Sequence, residues 1–403
     1  MIKIHKNLIE AIIKTVYSTV IENRYADSAV NYILKSNPKW GARDRKFIAE
    51  GAYEIIRNLR LVSYAAGVGM ESRKDVEKMV AAHLFIQRMI DEATLNSYGL
   101  EKSNLLRRYE EGKLTAKIRE SVPDWLDELG QKELGKSWEH EIKALNEMAK
   151  VVLRVNTLKS DKRRLASTLA EAGIKTAAIP GYPDALVLEE RKNIFTLEEF
   201  KKGYFEVQDA TSQKIAYFSN VKPGMRVVDA CAGAGGKSLH LASVMKNKGK
   251  ILALDIEQDK LDELKRRARR NGVSIIETRL IEGKKVIKRL EGSADLLLLD
   301  VPCSGLGVIR RNPDAKWKLK KERIEELIKI QADILSFYSI MVRPGGTLVY
   351  ATCSILPSEN GNQVAKFLKE HPGFVLEEEI SVSPADSGFD GFYMARIIKT
   401  KET

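Results

Sequence analysis

Two cysteines of this chain directly follow short apolar segments that are typical of buried β-strands. Cys303 follows Ala294–Leu299, and Cys353 follows Thr347–Ala351. In open α/β sheets the reactive groups lie beyond the carboxyl ends of the strands. If these two strands are neighbours, the two thiols meet at one edge of the sheet. A single free cysteine is usually buried and inert, but a pair at one edge suits nucleophilic chemistry by a thiolate.

A glycine-rich turn between a predicted strand and a predicted helix indicates a cofactor site. Asp255 closes the next strand, 20 residues after Gly235, which suits hydrogen bonds to both ribose hydroxyls of a nucleoside. A tight turn without a ligand and a dinucleotide site are the alternatives, but the pattern is not a clean G-x-G-x-x-G, and nicotinamide chemistry leaves the cysteines unexplained. The turn consists of Cys231, Ala232, Gly233, Ala234, Gly235, Gly236 and Lys237.

Strands and helices alternate from about residue 203 onward. Short apolar strands that alternate with helices predict a parallel, doubly wound sheet covered on both faces. A long helical stretch, Lys321–Met341, precedes the last of these strands. The predicted strands are Arg226–Ala230, Ile251–Leu254, Ile275–Ile281, Ala294–Leu299 and Thr347–Ala351.

The first 140 residues show helical periodicity and no alternating strand pattern, which predicts a helical bundle. From Val151 a small α/β module is expected, with strands at Val151–Val155 and Ala185–Leu188 and a helix at Arg164–Ala172. The predicted domains are therefore an all-α domain at 1–145, a small α/β linking module at 146–205 and a catalytic α/β domain at 206–403.

Composition narrows the class of protein. The chain has 403 residues, of which 44% are hydrophobic and 30% charged, and this is a globular composition with no apolar run long enough to span a membrane. Three cysteines without CxxC spacing and five scattered histidines argue against a disulfide framework and against a metal site. We expect a cytoplasmic protein, a monomer, with no metal.

The net charge of +12 favours a polyanionic partner such as RNA or DNA, although a basic protein without such a partner is the alternative. Two basic clusters, at 265–270 and 284–289, suit either phosphate binding or a solvated helix face. A third cluster is predicted to bind phosphates and, through Trp317, to stack a base. It comprises Arg310, Arg311, Lys316, Lys318, Lys320 and Lys321.

Several motifs resemble those of the RNA (cytosine-C5) methyltransferases, and most closely the RsmB-type enzymes that act on bacterial ribosomal RNA. The segment Asp390–Arg396 is similar to the closing strand of that family, and residues 1–140 more loosely resemble its NusB-like RNA-binding domain. The four signature segments are Gln208–Gln213, Asp229–Lys237, Leu299–Gly305 and Tyr350–Ser354.

The resemblance implies a Rossmann-like, S-adenosyl-L-methionine-dependent methyltransferase domain that forms 5-methylcytidine. It implies that Cys353 attacks C6 of the base, that Cys303 assists release of the covalent adduct, and that Asp300 protonates or hydrogen-bonds N3. It places the cofactor on the glycine turn, Asp255, Asp300 and Glu282. Members usually carry Asp at position 282, and many carry Ala-Pro where this chain has Gly233 and Ala234. The side chain of Cys231 is interpreted as a small packing group.

The resemblance favours 16S ribosomal RNA as the substrate, with transfer RNA second. A DNA cytosine methyltransferase typically carries its nucleophile in the Pro-Cys after the fourth strand and needs no second cysteine, so Cys353 argues for RNA. A catalytically silent RNA-binding or ribosome-assembly protein is the other class, but both thiols and a full cofactor turn count against it.

Overall fold

The computed structural model describes residues 4–401. The chain forms two compact units, which we call the helical unit and the α/β unit. The helical unit consists of Met1–Glu147 with Ile309–Lys321, and the α/β unit of Met148–Val308 with Glu322–Thr403. Over residues 4–401, every helix is too short or too polar to cross a lipid bilayer.

The helical unit folds around apolar stripes at helical spacing. In its first helix Leu8, Ile12 and Val16 follow one another at i, i+4 and are all buried. The fifth helix begins at a capping box in which Ser72 and Asp75 each accept the other's backbone N–H. The helices are α1 (Lys6–Val20), α2 (Ala26–Ser36), α3 (Ala42–Arg57), α4 (Leu59–Ala66), α5 (Arg73–Ile86), α6 (Glu92–Ser97), α7 (Lys102–Lys113), α8 (Ala116–Arg119), α9 (Asp124–Leu134) and α10 (Trp138–Leu145).

The α/β unit begins with a small antiparallel sheet. Its core contains Leu153, Leu165, Leu186 and Phe205, which come from three strands and one helix. Its strand order is β2-β3-β1-β4. The elements are β1 (Val152–Val155), α11 (Lys162–Glu171), β2 (Thr176–Ala178), β3 (Ala185–Leu188), α12 (Glu198–Lys201) and β4 (Phe205–Val207).

A seven-stranded sheet with its helices forms the rest of the α/β unit, whereas the short helix Ala315–Lys318 belongs to the helical unit. The remaining elements, in chain order, are α13 (Ala210–Phe218), β5 (Arg226–Asp229), α14 (Gly236–Val244), β6 (Lys250–Asp255), α15 (Gln258–Asn271), β7 (Ile276–Leu280), α16 (Lys284–Lys288), β8 (Ala294–Asp300), α17 (Ala315–Lys318), α18 (Lys321–Tyr338), β9 (Val342–Thr352), α19 (Gly361–Glu370), β10 (Phe374–Val382), α20 (Pro384–Ser387) and β11 (Phe392–Lys399).

The strand order of this sheet is β10-β11-β9-β8-β5-β6-β7. Strands β5 to β9 are parallel to one another, and apolar clusters cover both faces of the sheet, as a doubly wound fold requires. The predicted Rossmann-like architecture is confirmed. The sheet is nevertheless mixed and not purely parallel, because β11 runs antiparallel to β9 and β10 antiparallel to β11. Strand β10 was not predicted, since its outer residues are mostly charged.

The segment 309–321 follows a loop of the α/β unit but packs in the helical unit. The side chain of Lys316 is 1% exposed, and its Nζ donates to the carbonyl oxygens of Arg57 and Glu120, each at 3.0 Å, and to Oδ1 of Asn146 at 2.7 Å. The indole of Trp317 packs against the helical core and donates to the carbonyl of Ile56.

The expectation that this segment presents a phosphate-binding surface with a stacking tryptophan is therefore wrong for its central residues. Arg310 and Lys316 are buried, and Trp317 contributes to the helical core. Sequence spacing could not separate buried from exposed cations here, because the packing partners lie some 170 to 260 positions away in the chain.

One carboxyl group lies deep in the large sheet. Asp229 ends β5 and is 1% exposed. Its Oδ2 accepts a hydrogen bond of 2.5 Å from the hydroxyl of Ser238, in the first turn of α14. Burial raises the pKa of Asp229 to about 7. This side chain is therefore largely protonated below neutral pH in the folded protein.

We expect Lys316→Met to lower the free energy of unfolding of the helical unit by about 3 kcal/mol, because three buried oxygens lose their shared donor. Native-state hydrogen exchange of the amides in α3 measures this directly. Lys320→Met, which alters an exposed lysine two residues beyond α17, is the matched control and should change that free energy by less than about 0.5 kcal/mol. Equal protection in the two variants would contradict the structural role of Lys316.

Asp229→Asn should be more stable than the wild type above neutral pH and about equally stable near pH 4. The wild-type carboxyl has a pKa of about 7 when folded, against a usual value of 3.8. Between these values the folded state holds a proton that the unfolded chain has released, so wild-type stability falls as pH rises. The stability difference between the two proteins grows by about 1.4 kcal/mol for each unit that separates the folded and unfolded pKa values of Asp229.

Urea unfolding of both proteins across this pH range tests the expectation. Asp295→Asn is the matched control, because hydrogen bonds from the Arg226 amide and from Arg343 lower the pKa of Asp295 against the effect of its burial. The stability difference between Asp295→Asn and the wild type should therefore change with pH in the opposite direction. A stability difference between Asp229→Asn and wild type that does not change with pH would show that Asp229 is ionised in the fold.

Candidate active site

Four adjacent strands deliver the predicted site residues to one edge of the large sheet. The strands lie in the order β9-β8-β5-β6, and their carboxyl ends carry Thr352, Asp300, Asp229 and Asp255. Strands β8 and β9 pair in parallel with Asp300 opposite Ala351. The loops that bear the two cysteines therefore leave the sheet side by side.

The two thiols are in direct contact. Sγ of Cys303 lies 3.3 Å from Sγ of Cys353. The hydrogen bond with Cys353, together with burial, raises the pKa of the Cys303 thiol well above its usual value. The raised pKa favours the thiol form of Cys303, whose S–H can donate to the neighbouring sulfur.

An ion pair lies beside the thiols. Nζ of Lys237, in the first turn of α14, is 2.5 Å from Oδ2 of Asp300. Burial lowers the pKa of the Lys237 ammonium, but the charge and hydrogen bond of Asp300 and the charge of Cys353 raise it more, so the net shift is upward. The ammonium therefore keeps its charge beside the carboxyl group at the end of β8.

A buried carboxylate that sequence reasoning missed connects the two cysteine loops. Glu359 Oε1 accepts from the backbone N–H of Ser304 at 2.8 Å and from Nε2 of Gln331 at 2.9 Å. Its Oε2 accepts from the hydroxyls of Ser304, at 2.5 Å, and Ser354. The repeated Cys-Ser pairs at 303–304 and 353–354 were the available signal, since both serines bind this group.

The glycine turn has the shape of a ligand cradle. Gly233 and Gly235 have φ values of +53° and +82°, and a Cβ at Gly235 would lie 2.4 Å from Cγ of Leu264, so a side chain does not fit there. At Gly233 a Cβ would meet nothing within 4 Å. The N–H of Gly233 donates to Oδ2 of Asp255 at 2.8 Å, which ties the turn to the acid at the end of β6.

Two arginines, Arg154, which is buried, and Arg267, which is half-buried, donate hydrogen bonds to backbone carbonyls of this turn. Nη1 of Arg267 donates to the carbonyl of Ala234 at 2.7 Å, and its other terminal nitrogen pairs with Glu206 at 3.0 Å. Arg154 donates to the carbonyl of Gly236 and to the side chain of Gln208. Arg154 was not singled out in the sequence, and Arg267 was placed in the basic cluster at 265–270 as a phosphate-binding group or part of a solvated helix face.

The site fits S-adenosyl-L-methionine. The open space at Gly233 and the backbone N–H groups that begin α14 can contact the cofactor closely. Asp300, Asp229 and Asp255 end the adjacent strands β8, β5 and β6 beside the turn, and carboxyl groups in this position suit a sulfonium cation. Burial, and then these three carboxyl groups, raises the pKa of Cys231 well above its usual value. A cavity of about 460 Å³ lined mainly by apolar side chains lies at the end of β7.

The structure brings together most of the predicted site residues. Cys303 contacts Cys353, Lys237 contacts Asp300, and Asp255 contacts the glycine turn. Glu282 follows Ile281, whose N–H donates to the carbonyl of Asp255 at 2.8 Å. The side chain of Glu282 is exposed and makes no hydrogen bond or ion pair with any residue in the part of the chain that is described. The thiol of Cys231 is partly buried beneath the turn.

Comparisons with known proteins agree with this geometry. A family model described as 16S rRNA methyltransferase RsmB/F matches residues 216–398, and a model for the ferredoxin-like domain of the RsmF/B-like methyltransferases matches residues 122–195. The chain is 30% identical to a probable ribosomal RNA small subunit methyltransferase B of Synechocystis, covering 93% of this chain and 95% of that protein. It is 34% identical to ribosomal RNA small subunit methyltransferase B of Salmonella arizonae, covering 76% and 72%.

Solved structures share the fold. The crystal structure of PH0851 superposes with a TM-score of 0.80 at 25% identity, covering 98% of this chain and 99% of that one. NSun6 from Pyrococcus horikoshii, solved with SFG, gives a TM-score of 0.64 at 22% identity over 70% of this chain and 99% of that one. By the match of its sequence along nearly its whole length, the chain belongs to the RsmB/F family of 16S rRNA methyltransferases, and its methyl donor is S-adenosyl-L-methionine.

Proposed function

We propose that this chain methylates C5 of a cytidine in small-subunit ribosomal RNA through a covalent bond between Cys353 and C6 of the base. The observation that carries the proposal is the contact of two thiols, 3.3 Å apart, at the end of neighbouring strands. An acid–ammonium pair and the cofactor turn lie at the same edge.

The chemistry explains why a thiol is needed. C5 of cytosine is a poor nucleophile, unlike the nitrogen and oxygen atoms that other RNA methyltransferases modify. Addition of a thiolate to C6 breaks the C5=C6 double bond and gives C5 the character of an enamine carbon. A methyltransferase that modifies a nitrogen or an oxygen atom does not need a thiol to activate its target.

Cys353 is the proposed nucleophile and Cys303 its partner. The Cys303 thiol keeps its proton, while the Lys237 ammonium and the Cys303 S–H both stabilise a thiolate at Cys353. As the S–C6 bond forms, N3 gains a proton. Asp300 passes to N3, or hydrogen-bonds there, the proton that it shares with the Lys237 ammonium across 2.5 Å. Removal of a general acid of this kind typically costs about 10²- to 10⁴-fold in rate.

Release of the RNA reverses the first step. When bound, S-adenosyl-L-methionine supplies the methyl group that becomes attached to C5. The C5 proton then passes to solvent, the S–C6 bond breaks, and the C5=C6 double bond re-forms. Cys303 lies against the sulfur that departs, so its S–H stabilises the thiolate that leaves.

The substrate is proposed from the relatives. Two of them are named ribosomal RNA small subunit methyltransferase B, and the net charge of +12 suits a polyanion. The target base must leave its stack to reach two partly buried sulfurs. Transfer RNA is the second candidate and is tested beside ribosomal RNA.

We expect wild-type protein with labelled S-adenosyl-L-methionine and unmodified small-subunit ribosomal RNA to form 5-methylcytidine, identified by nucleoside analysis. Cys353→Ala should abolish the product, because no adduct can form. Cys303→Ala should accumulate a protein–RNA adduct that survives denaturing electrophoresis, because addition remains possible and release does not.

Three results would contradict this proposal. Methylation at an atom other than C5 would remove the need for the thiols. Full activity of Cys353→Ala would exclude it as the nucleophile. Activity on transfer RNA and none on ribosomal RNA, whether naked or in the small subunit, would replace the proposed substrate.

Asp300→Asn should reduce the rate of methyl transfer by about 100-fold or more, since N3 loses its acid. Asp295→Asn is the matched control, because Asp295 lies on the same strand, β8, near its opposite end and pairs with Arg343 on the surface. Single-turnover rates of the two variants separate the local role of Asp300 from a general effect on the strand. Equal rates would argue against proton transfer by Asp300.

A further inference from the structure

Glu359 occupies an unusual position for a carboxylate. It ends the short 3₁₀ turn Pro357–Glu359 and is 0% exposed. Within residues 4–401 no lysine, arginine or histidine pairs with it. An ionised carboxylate that is removed from water without a cation costs several kcal/mol unless hydrogen bonds satisfy it. Four donors do so here: one backbone N–H, two hydroxyls and one side-chain amide.

The identity of the donors indicates what the carboxylate does. Ser304 is the residue after Cys303, and Ser354 is the residue after Cys353. The two hydroxyls also lie 3.3 Å from each other. Glu359 therefore binds both cysteine loops with one rigid group, and its Oε2 is the atom that the two loops share.

The remaining contacts keep Glu359 itself in place. Gln331, on α18, donates to Glu359 and to the carbonyl of Pro302, at 2.9 and 3.0 Å. The hydroxyl of Tyr350 donates to the backbone carbonyl of Glu359 at 2.7 Å. Tyr350 on β9 and Gln331 on α18 thus hold Glu359 in place. Its carboxylate in turn holds the two cysteine loops through Ser304 and Ser354.

We propose that Glu359 is a positioning residue that holds Cys303 and Cys353 in contact and is required for release of the RNA. The inference rests on the proposed function, in which Cys303 acts on the sulfur that leaves C6. If the loops separate, Cys353 still adds to C6, but Cys303 no longer reaches the departing sulfur. Loss of Glu359 should therefore slow release more than attack.

Three variants distinguish a positioning role of Glu359 from a role of its negative charge and from a general effect on folding. Glu359→Ala removes all four contacts. Glu359→Gln keeps them, because its Oε1 still accepts and its amide can donate to the two hydroxyls, which rotate to accept. Ser354→Ala cuts the side-chain tie to the Cys353 loop and leaves the carboxylate with three donors, so it remains informative if Glu359→Ala does not fold.

The first measurement probes the contact between the thiols without RNA. Phenylarsine oxide binds tightly only where two thiols can bind one arsenic atom, because the second sulfur binds at high effective concentration. Wild type and Glu359→Gln should bind one equivalent with similar affinity. Glu359→Ala and Ser354→Ala should bind about tenfold more weakly or worse. Cys303→Ala gives the signal expected for a single thiol.

Asp184→Asn is the matched control for the loss of a buried carboxylate. Asp184 accepts hydrogen bonds from His240 and Tyr217, at 2.8 and 2.7 Å, and contacts neither cysteine loop. It should lose stability and bind the arsenical as the wild type does. Unfolding midpoints of all variants distinguish a local opening of the loops from a weakened fold.

The second measurement is steady-state methyl transfer. Glu359→Ala should lower kcat by about 100-fold, with a much smaller change in KM, and should accumulate the protein–RNA adduct seen with Cys303→Ala. Glu359→Gln should remain close to the wild-type rate and form little adduct. A structural role alone predicts loss of active protein without adduct and without a change in thiol affinity.

The inference is overturned if folded Glu359→Ala or Ser354→Ala binds the arsenical as tightly as the wild type. It is also overturned if the arsenical affinity falls and no adduct accumulates while wild-type protein makes 5-methylcytidine. Failure of the wild type to make 5-methylcytidine would instead overturn the proposed function, and the arsenical result would still report whether Glu359 holds the thiols together.

Discussion

The parallel pairing of β8 and β9 is the constraint on which the site depends. Asp300 lies opposite Ala351, and the two cysteines follow these residues by three and two positions. This register starts the two cysteine loops side by side, and the sulfurs of Cys303 and Cys353 lie 3.3 Å apart. Apolar side chains on both faces of β8 and β9 bury the two strands in the centre of the sheet.

Electrostatics divides this edge of the sheet into two parts. Near the glycine turn, burial and then the carboxyl groups of Asp229, Asp300 and Asp255 raise the pKa of Cys231, and the carboxyl group of Asp255, which accepts from the N–H of Gly233, suits a cation there. Near the cysteines, Lys237 provides positive charge and the pKa of Cys303 is raised. A sulfonium and a thiolate can thus be stabilised side by side, with the Lys237–Asp300 pair between the two regions.

Much of this arrangement could be predicted from local sequence. The strands that end at Asp229, Asp255 and Asp300 are apolar runs that stop at an acid, and the positions of both thiols follow from the rule for parallel sheets. Glu359 could not be found in this way, because nothing in its own neighbourhood shows that donors 28 and 55 residues away converge on it. The burial of Lys316 and Trp317 was missed for the same reason.

Segment 309–321 shows a second limit of local reasoning. Its lysines and arginines have the spacing of a basic surface, yet Lys316 satisfies three oxygens of the helical unit. A cation that caps buried carbonyls and a cation that binds phosphate have the same sequence signal. Only the long-range packing of α17 distinguishes them.

Trapping the covalent intermediate tests the central claim most directly. RNA that carries 5-fluorocytidine at the target position can accept the thiolate and the methyl group, but it has no C5 proton to lose, so the adduct cannot break down. After incubation with S-adenosyl-L-methionine and proteolysis, mass spectrometry should find the RNA on the peptide that contains Cys353. Attachment to Cys303, or methylated RNA with no attached peptide, would contradict the proposed roles of Cys353 as the nucleophile and of Cys303 in release.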